Sequence, residues 1–177
     1  AYYGVQALRA KENFPITGTK LHPVFIKNLA KIKRAAAITN RKAGRLKPEI
    51  ANAIEASANE VICGMFDKDF IVDGIQGGAG TSANMNMNEV IANRAIEMLC
   101  GKKGDYTIVH PNDHVNMAQS TNDVIPTAGK LTVLDLLKPL DKSLSLLTDA
   151  LYDKAAAFDH IVKIGRTQLE DAVPMRL

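Results

Sequence analysis

A leucine seam constrains this chain most. Leu140, Leu144, Leu147 and Leu151 step by four, three and four residues, and Val133, Leu136 and Leu137 continue the pattern upstream. That spacing keeps the side chains on one face of a helix. It predicts a helix from about residue 123 to 157, roughly 50 Å long at 1.5 Å per residue and about three times the mean helix length. Pro139 falls inside it and removes a backbone hydrogen bond, so a kink is expected. A chain of 177 residues holds too little other helix to cover so long a seam. The expectation is that further sequence or other copies complete it. Both ends agree: AYYGVQALRA starts and RTQLEDAVPMRL stops in mid-pattern, which reads as the opening part of a longer protein.

Composition sets outer limits. Apolar residues make up 46% and charged residues 23%, the mix of a globular chain able to bury one core and open a second. No run nears the roughly 18 apolar residues of a membrane span, and no basic-then-apolar leader opens the chain. A cytoplasmic protein is expected. The net charge is +3. Lys27, Lys31, Lys33, Arg34, Arg41 and Lys42 cluster on one predicted helix without interleaved aromatics, which reads as a solvated face rather than a nucleic-acid surface. Cys63 and Cys100 stand far apart with no Cys or His at ligand spacing, and are read as buried free thiols, with no metal expected.

Along the chain, residues 1–22 carry Gly4, Pro15 and Gly18 and predict an extended arm or short strands. Pro23 opens a helix of about 20 residues ended by Gly44, with Phe25, Ile26, Leu29, Ile32, Ala36 and Ala37 at helical spacing. Pro48 opens a second, striped by Ile50, Ile54, Val61 and Met65, so the two form a helical hairpin. Four glycines in DGIQGGAG (73–80) then lead into Thr81, Ser82 and a helix ending at Gly101, with Met85 and Met87 as core fillers. Backbone N–H groups converge at such a junction, and the helix dipole favours an anion there. The spacing is not that of a nucleotide phosphate loop. A linker with a Thr/Ser cap is the competing reading. Lys102 to Asn116 reads as a loop, and IVKIG after Phe158 as a strand followed by a Gly-Arg-Thr turn. The fold class is mainly α: a helical domain with short strands over 1–119, then the start of a long-helix bundle domain over 120–177.

Three polar clusters sit at element ends: Thr81-Ser82, Ser120-Thr121-Asn122 and Thr167-Gln168. Neutral donors in number suit a carboxylate that gains negative charge during a reaction. Spacing alone does not establish that they converge. His110 and His114, and equally His22 and His160, are read as hydrogen-bonding loop residues rather than metal ligands or acid-base groups.

The strings that carry these clusters, GGAGTSANMNMNEVIANRA (77–95), HPNDHVNMAQSTNDVIPTA (110–128) and GRTQLEDAVPM (165–175), resemble three blocks of the aspartase/fumarase superfamily. YYGVQALRAKENFPI resembles its opening segment. The choices GAGTS, QSTND and GRTQL are those of the aspartase branch rather than the fumarase one, while Glu170 and Arg176 depart from the usual Gln and Thr. The resemblance implies reversible loss of ammonia from L-aspartate to give fumarate, without an organic cofactor, in a homotetramer whose sites draw on three subunits. It implies that Thr81, Ser120, Thr121 and Thr167, with Ser82 alongside, bind the substrate carboxylate that becomes a dianionic aci-carboxylate, and that Asn122 and Gln168 lie near the amino group. It also implies a secondary dicarboxylate site at His110, Asn112, Asp113 and His114. The family's base, a Ser in a loop of GSSxMPxKxNP type, has no counterpart in these residues, so no catalytic residue is assigned and the chain alone is expected to be inactive. The competing readings are a class II fumarase and a non-catalytic helical assembly module.

Overall fold

A computed structural model describes all residues, Ala1–Leu177. In chain order the elements are α1 (Val5–Asn13), α2 (Pro23–Lys42), α3 (Pro48–Ile62), a 3-10 turn (Asp67–Asp69), α4 (Thr81–Met98), a single π-helical turn (Pro111–Val115), α5 (Thr121–Phe158), β1 (Val162–Thr167) and β2 (Glu170–Arg176). The chain is mainly helical, as its periodicity requires. Contacts divide it into two units, Ala1–Val133 and Leu134–Leu177. No helix is long and apolar enough to cross a membrane.

In the first unit the hairpin of α2 and α3 buries Leu29, Ala30, Ile54 and Ala58 against Met87, Val90, Ile91 and Ile96 of α4. Val109, Val115, Val124 and Ala128 extend this core to the π-helical turn and the first turns of α5. Helix α4 is buried nearly all round, polar residues included: Asn84, Asn86, Asn88, Glu89 and Asn93 are each at most 3% exposed. Such a helix is tolerated only where its polar groups find partners. Asn86, Glu89 and Asn93 do so by tying down irregular chain. Asn86 accepts from Ile71 N and donates to Asp69 O, and Asn93 donates to Tyr2 O and accepts from Gly104 N.

Residues 1–22 are not an extended arm. Val5–Asn13 form α1, because the carboxylate of Glu89 accepts from Gly4 N, Gln6 N and Ala7 N at 2.9–3.0 Å. A side chain from α4 thus satisfies the first N–H groups of a nine-residue helix that would not hold alone. Gly4 is required there, since a Cβ would lie 2.5–2.6 Å from Tyr106 Oη and the Glu89 carboxylate. Residues 17–20 are held by Asp73, which accepts from Thr17 N, Thr17 Oγ1, Gly18 N and Ile75 N. These bonds, Thr17's hydroxyl first, hold the Asp73 carboxyl well below the usual carboxylate range.

Other expectations are corrected. Met65 lies beyond α3 and is 64% exposed, so the stripe ends at Val61. Cys63 and Cys100 are free but exposed; each stands at a helix C-terminus, where the last turn opens to solvent. Met87 is buried, whereas Met85 is only half-buried. The 102–116 loop contains the π-helical turn.

In the second unit the remainder of α5 is followed by the β1–β2 antiparallel hairpin. Helix α5 runs unbroken through Pro126 and Pro139. The turn is not Gly-Arg-Thr: Arg166 and Thr167 pair with Asp171 and Glu170. The two-residue turn is Gln168–Leu169, both at positive φ (50° and 65°), the backbone that matches strand twist in a tight hairpin.

Candidate functional site

The starts of α4 and α5 meet. Gly80 caps α4 at φ 94°, a conformation L side chains rarely adopt. A Cβ at Gly80 would also lie 2.7 Å from Ile125 in the first turns of α5. Only glycine lets the loop turn and lets α5 approach this closely. Thr81 and Ser82 are the first residues of α4, and Ser120 immediately precedes α5. The Ser120 Oγ accepts from Asn122 N at 3.2 Å and its carbonyl from Asp123 N and Val124 N, so Ser120 caps the helix while its hydroxyl proton stays available. Thr81 makes no such cap. One of the N–H groups at the start of α4 is already used, since Gln76 Oε1 accepts from Ala83 N at 2.6 Å. The anion cradle expected from the glycine loop is in part filled from within.

Beneath this corner lies a polar network that the sequence reading missed. Lys33 is wholly buried and its Nζ donates to Asn116 Oδ1 at 2.8 Å. Asn84 Nδ2 donates to the same oxygen at 3.2 Å and to Thr121 Oγ1 at 3.1 Å. Asn116 Nδ2 donates to Gln119 O at 3.3 Å. Asn84 Oδ1 and Gln119 Oε1 are buried without a partner, each costing about 1–3 kcal/mol. Burial alone lowers the Lys33 amine to about 7, because low-dielectric surroundings penalise the charged form. The reading of Lys33 as part of a solvated face is thus corrected. The signal was present in the sequence: Ile26, Leu29, Ala30, Lys33, Ala37 and Asn40 share one helical stripe, and all are buried.

A cleft of about 290 Å³ is lined by Gln6, Arg9, Asn13, Thr81, Ser82 and Met85. It brings a guanidinium to the hydroxyls that open α4. A larger hollow of about 630 Å³ is lined by Lys20, His22, Gly78, Gly80, Ile125 and Thr132, among others, and not by Thr81.

The remaining residues fall as follows. His110 Nδ1 accepts from Asn112 N and Asp113 N at 3.2 and 3.1 Å, and His114 Nδ1 accepts from His110 N at 2.9 Å. Both rings therefore hold the π-helical turn together, as loop hydrogen bonding requires. His114 is lowered from its ordinary pKa, chiefly by burial. His22 Nδ1 likewise accepts from Val24 N at the start of α2. Asn112, Asp113 and Asn122 are exposed. Thr167 ends β1 and Gln168 opens the hairpin turn, both exposed in the second unit.

Solved structures share this architecture. A fumarate lyase:delta crystallin from Brucella melitensis, in native form, matches with TM-score 0.89 and 49% identity over 100% of this chain and 42% of that one. A recombinant class II fumarase from Schistosoma mansoni matches with TM-score 0.84 and 39% identity over 99% and 37%. The class is therefore a helical lyase. A family model described as Lyase matches residues 1–177. An aspartate ammonia-lyase of Bacillus subtilis is 54% identical over 99% of the chain, and a class II fumarate hydratase of Halobacterium salinarum is 53% identical over 100%. The chain belongs to the aspartase/fumarase superfamily of lyases. It spans 37% and 38% of those two relatives' lengths.

Proposed function

We propose that these residues supply the carboxylate-binding part of an aspartate ammonia-lyase, which reversibly eliminates ammonia from L-aspartate to give fumarate. The observation that carries this reading is the junction of α4 and α5, where Asn84 donates to Thr121 Oγ1 and leaves the Thr121 proton free to donate outward. Elimination removes a proton from the carbon beside the side-chain carboxylate, which becomes a dianionic aci-carboxylate. Fixed neutral donors stabilise the second negative charge without trapping the ground state. Thr81, Ser82, Ser120, Thr121 and Thr167 take that role, and Asn122 and Gln168 face the amino group.

The reaction needs no organic cofactor or metal in this reading. A serine base lies outside these residues, so the 177 residues alone are inactive. The active protein is a cytoplasmic homotetramer, with residues 120–177 opening its helical bundle and the apolar face of α5 turned to other helices. His110, Asn112, Asp113 and His114 form a secondary dicarboxylate site. Support comes from the GAGTS, QSTND and GRTQL choices and from the aspartate ammonia-lyase relative.

A class II fumarase is the second reading, favoured by the near-equal identity of the fumarate hydratase. Assaying a full-length protein, one of the relatives' length carrying these residues, for fumarate production from aspartate and from malate separates them. Turnover of malate alone would overturn the first reading. Failure of fumarate and succinate to raise the melting temperature would favour a non-catalytic assembly module instead.

A further inference from the structure

We propose that Lys33 is a positioning residue: through Asn116 and Asn84 it fixes the Thr121 hydroxyl as a hydrogen-bond donor toward the substrate carboxylate. This rests on the lyase reading above and adds to it a residue one helix removed from the site.

The case is one of donor and acceptor accounting. Lys33 Nζ donates to Asn116 Oδ1, 2.8 Å away, so the Asn116 side chain presents its oxygen at this end. Its Nδ2 then points the other way, to Gln119 O. Asn84 meets that same Asn116 oxygen and so must present its NH2 group. The second N–H of that group reaches Thr121 Oγ1 at 3.1 Å. Thr121 is thereby made an acceptor on its inner side, and its one hydroxyl proton points elsewhere. Were Asn84 turned over, its oxygen would face the Asn116 oxygen and draw the Thr121 proton inward.

The orientation of Asn84 leaves its own Oδ1 buried and unpaired. Two bonds from Asn84 Nδ2, to Asn116 Oδ1 and to Thr121 Oγ1, hold that orientation in spite of the orphan. A structural lysine would need only any acceptor. This one sits at the head of a relay of set direction whose far end is a hydroxyl at the start of α5. All four residues of the relay belong to the first unit.

The test is made on the full-length protein with Lys33→Met, Asn84→Asp, Thr121→Ala and the two double variants carrying Thr121→Ala, measuring kcat, KM and melting temperature. Methionine keeps the length of the lysine stem without its donors. Asn84→Asp places an acceptor where Thr121 needs a donor, and decides the matter if Lys33→Met fails to fold. The expected result is a fall in kcat of roughly ten- to hundredfold for either single variant, smaller than the full loss of an oxyanion donor, with KM little changed. Neither variant should lower kcat further once Thr121 is alanine, because the relay acts only through that hydroxyl. Unchanged kcat in a folded variant, or losses that multiply with Thr121→Ala, would overturn the proposal while leaving the lyase reading intact. A full-length protein inactive on both aspartate and malate would overturn both.

Discussion

Helices α4 and α5 treat solvent in opposite ways. Helix α4 hides Asn84, Asn86, Asn88, Glu89 and Asn93, whereas α5 leaves Val133, Leu136, Leu140, Leu144, Leu147 and Leu151 between 41 and 62% exposed. Polarity alone would assign them the reverse. Asn84, Asn86, Glu89 and Asn93 have partners within this chain, among them the N-terminal segment, the loop before α4 and the start of α5, although Asn84 Oδ1 and Asn88 Oδ1 stay unpaired. The apolar residues of α5 from Val133 onward have none there. Burial in this molecule follows the supply of partners, and α5 itself spans the contrast, with Val124, Ala128 and Thr132 buried near its start.

The largest effect sharpens the contrast within α5. Thr121→Ala in the full-length protein should lower kcat for aspartate by about 10²–10³ while the melting temperature stays within a few degrees. A comparable loss of stability would make Thr121 a packing residue instead. Next, Ile91→Ala in α4 should destabilise the chain by about 2–5 kcal/mol, and Leu147→Ala by less than about 0.5 kcal/mol, by urea unfolding of the 177 residues. Equal costs would break the comparison.

Buried Lys33 gives a pH signature. Its amine at about 7 lies below the unfolded value near 10.5, so between those limits the unfolded chain binds more protons. Its contribution to stability therefore rises with pH across that window by up to ~1.4 kcal/mol per unit and is flat below it. Compared at pH 6, 8 and 10, the unfolding midpoint of wild type should rise relative to that of Lys33→Met. A constant difference would contradict burial of the charge. The smallest effect is expected from Asp73→Asn, which weakens the hold on residues 17–20. Asp73 stabilises above the ordinary carboxylate pKa, and this contribution is lost as pH falls through its depressed value. The variant should melt slightly lower near neutrality and approach wild type in strong acid.

Much of the fold was legible because its signals are local. Pro23 and Pro48 open helices, the glycine loop precedes α4, and the leucine seam runs through α5. What escaped was set by distant residues. Helix α1 depends on Glu89, more than eighty residues away, and no pattern within residues 1–22 announces that cap. The hairpin turn uses Gln168–Leu169 at positive φ without Asn or Gly to mark it. At the candidate site, Thr81, Ser82, Ser120 and Thr121 were visible as hydroxyls at element ends. Lys33, Asn84 and Asn116 were not, because a lysine among lysines read as a solvated face and nothing local marks either asparagine as a buried relay. The stripe through Leu29, Lys33 and Ala37 held the missing information.

The most direct test is a crystal structure of the full-length protein with bound succinate. The account requires one carboxylate within about 2.5–3.0 Å of the Thr81 and Thr121 hydroxyls, with Asn84 Nδ2 still facing Thr121 Oγ1. Succinate bound away from the junction of α4 and α5, or a Thr121 hydroxyl turned inward onto Asn84, would contradict it.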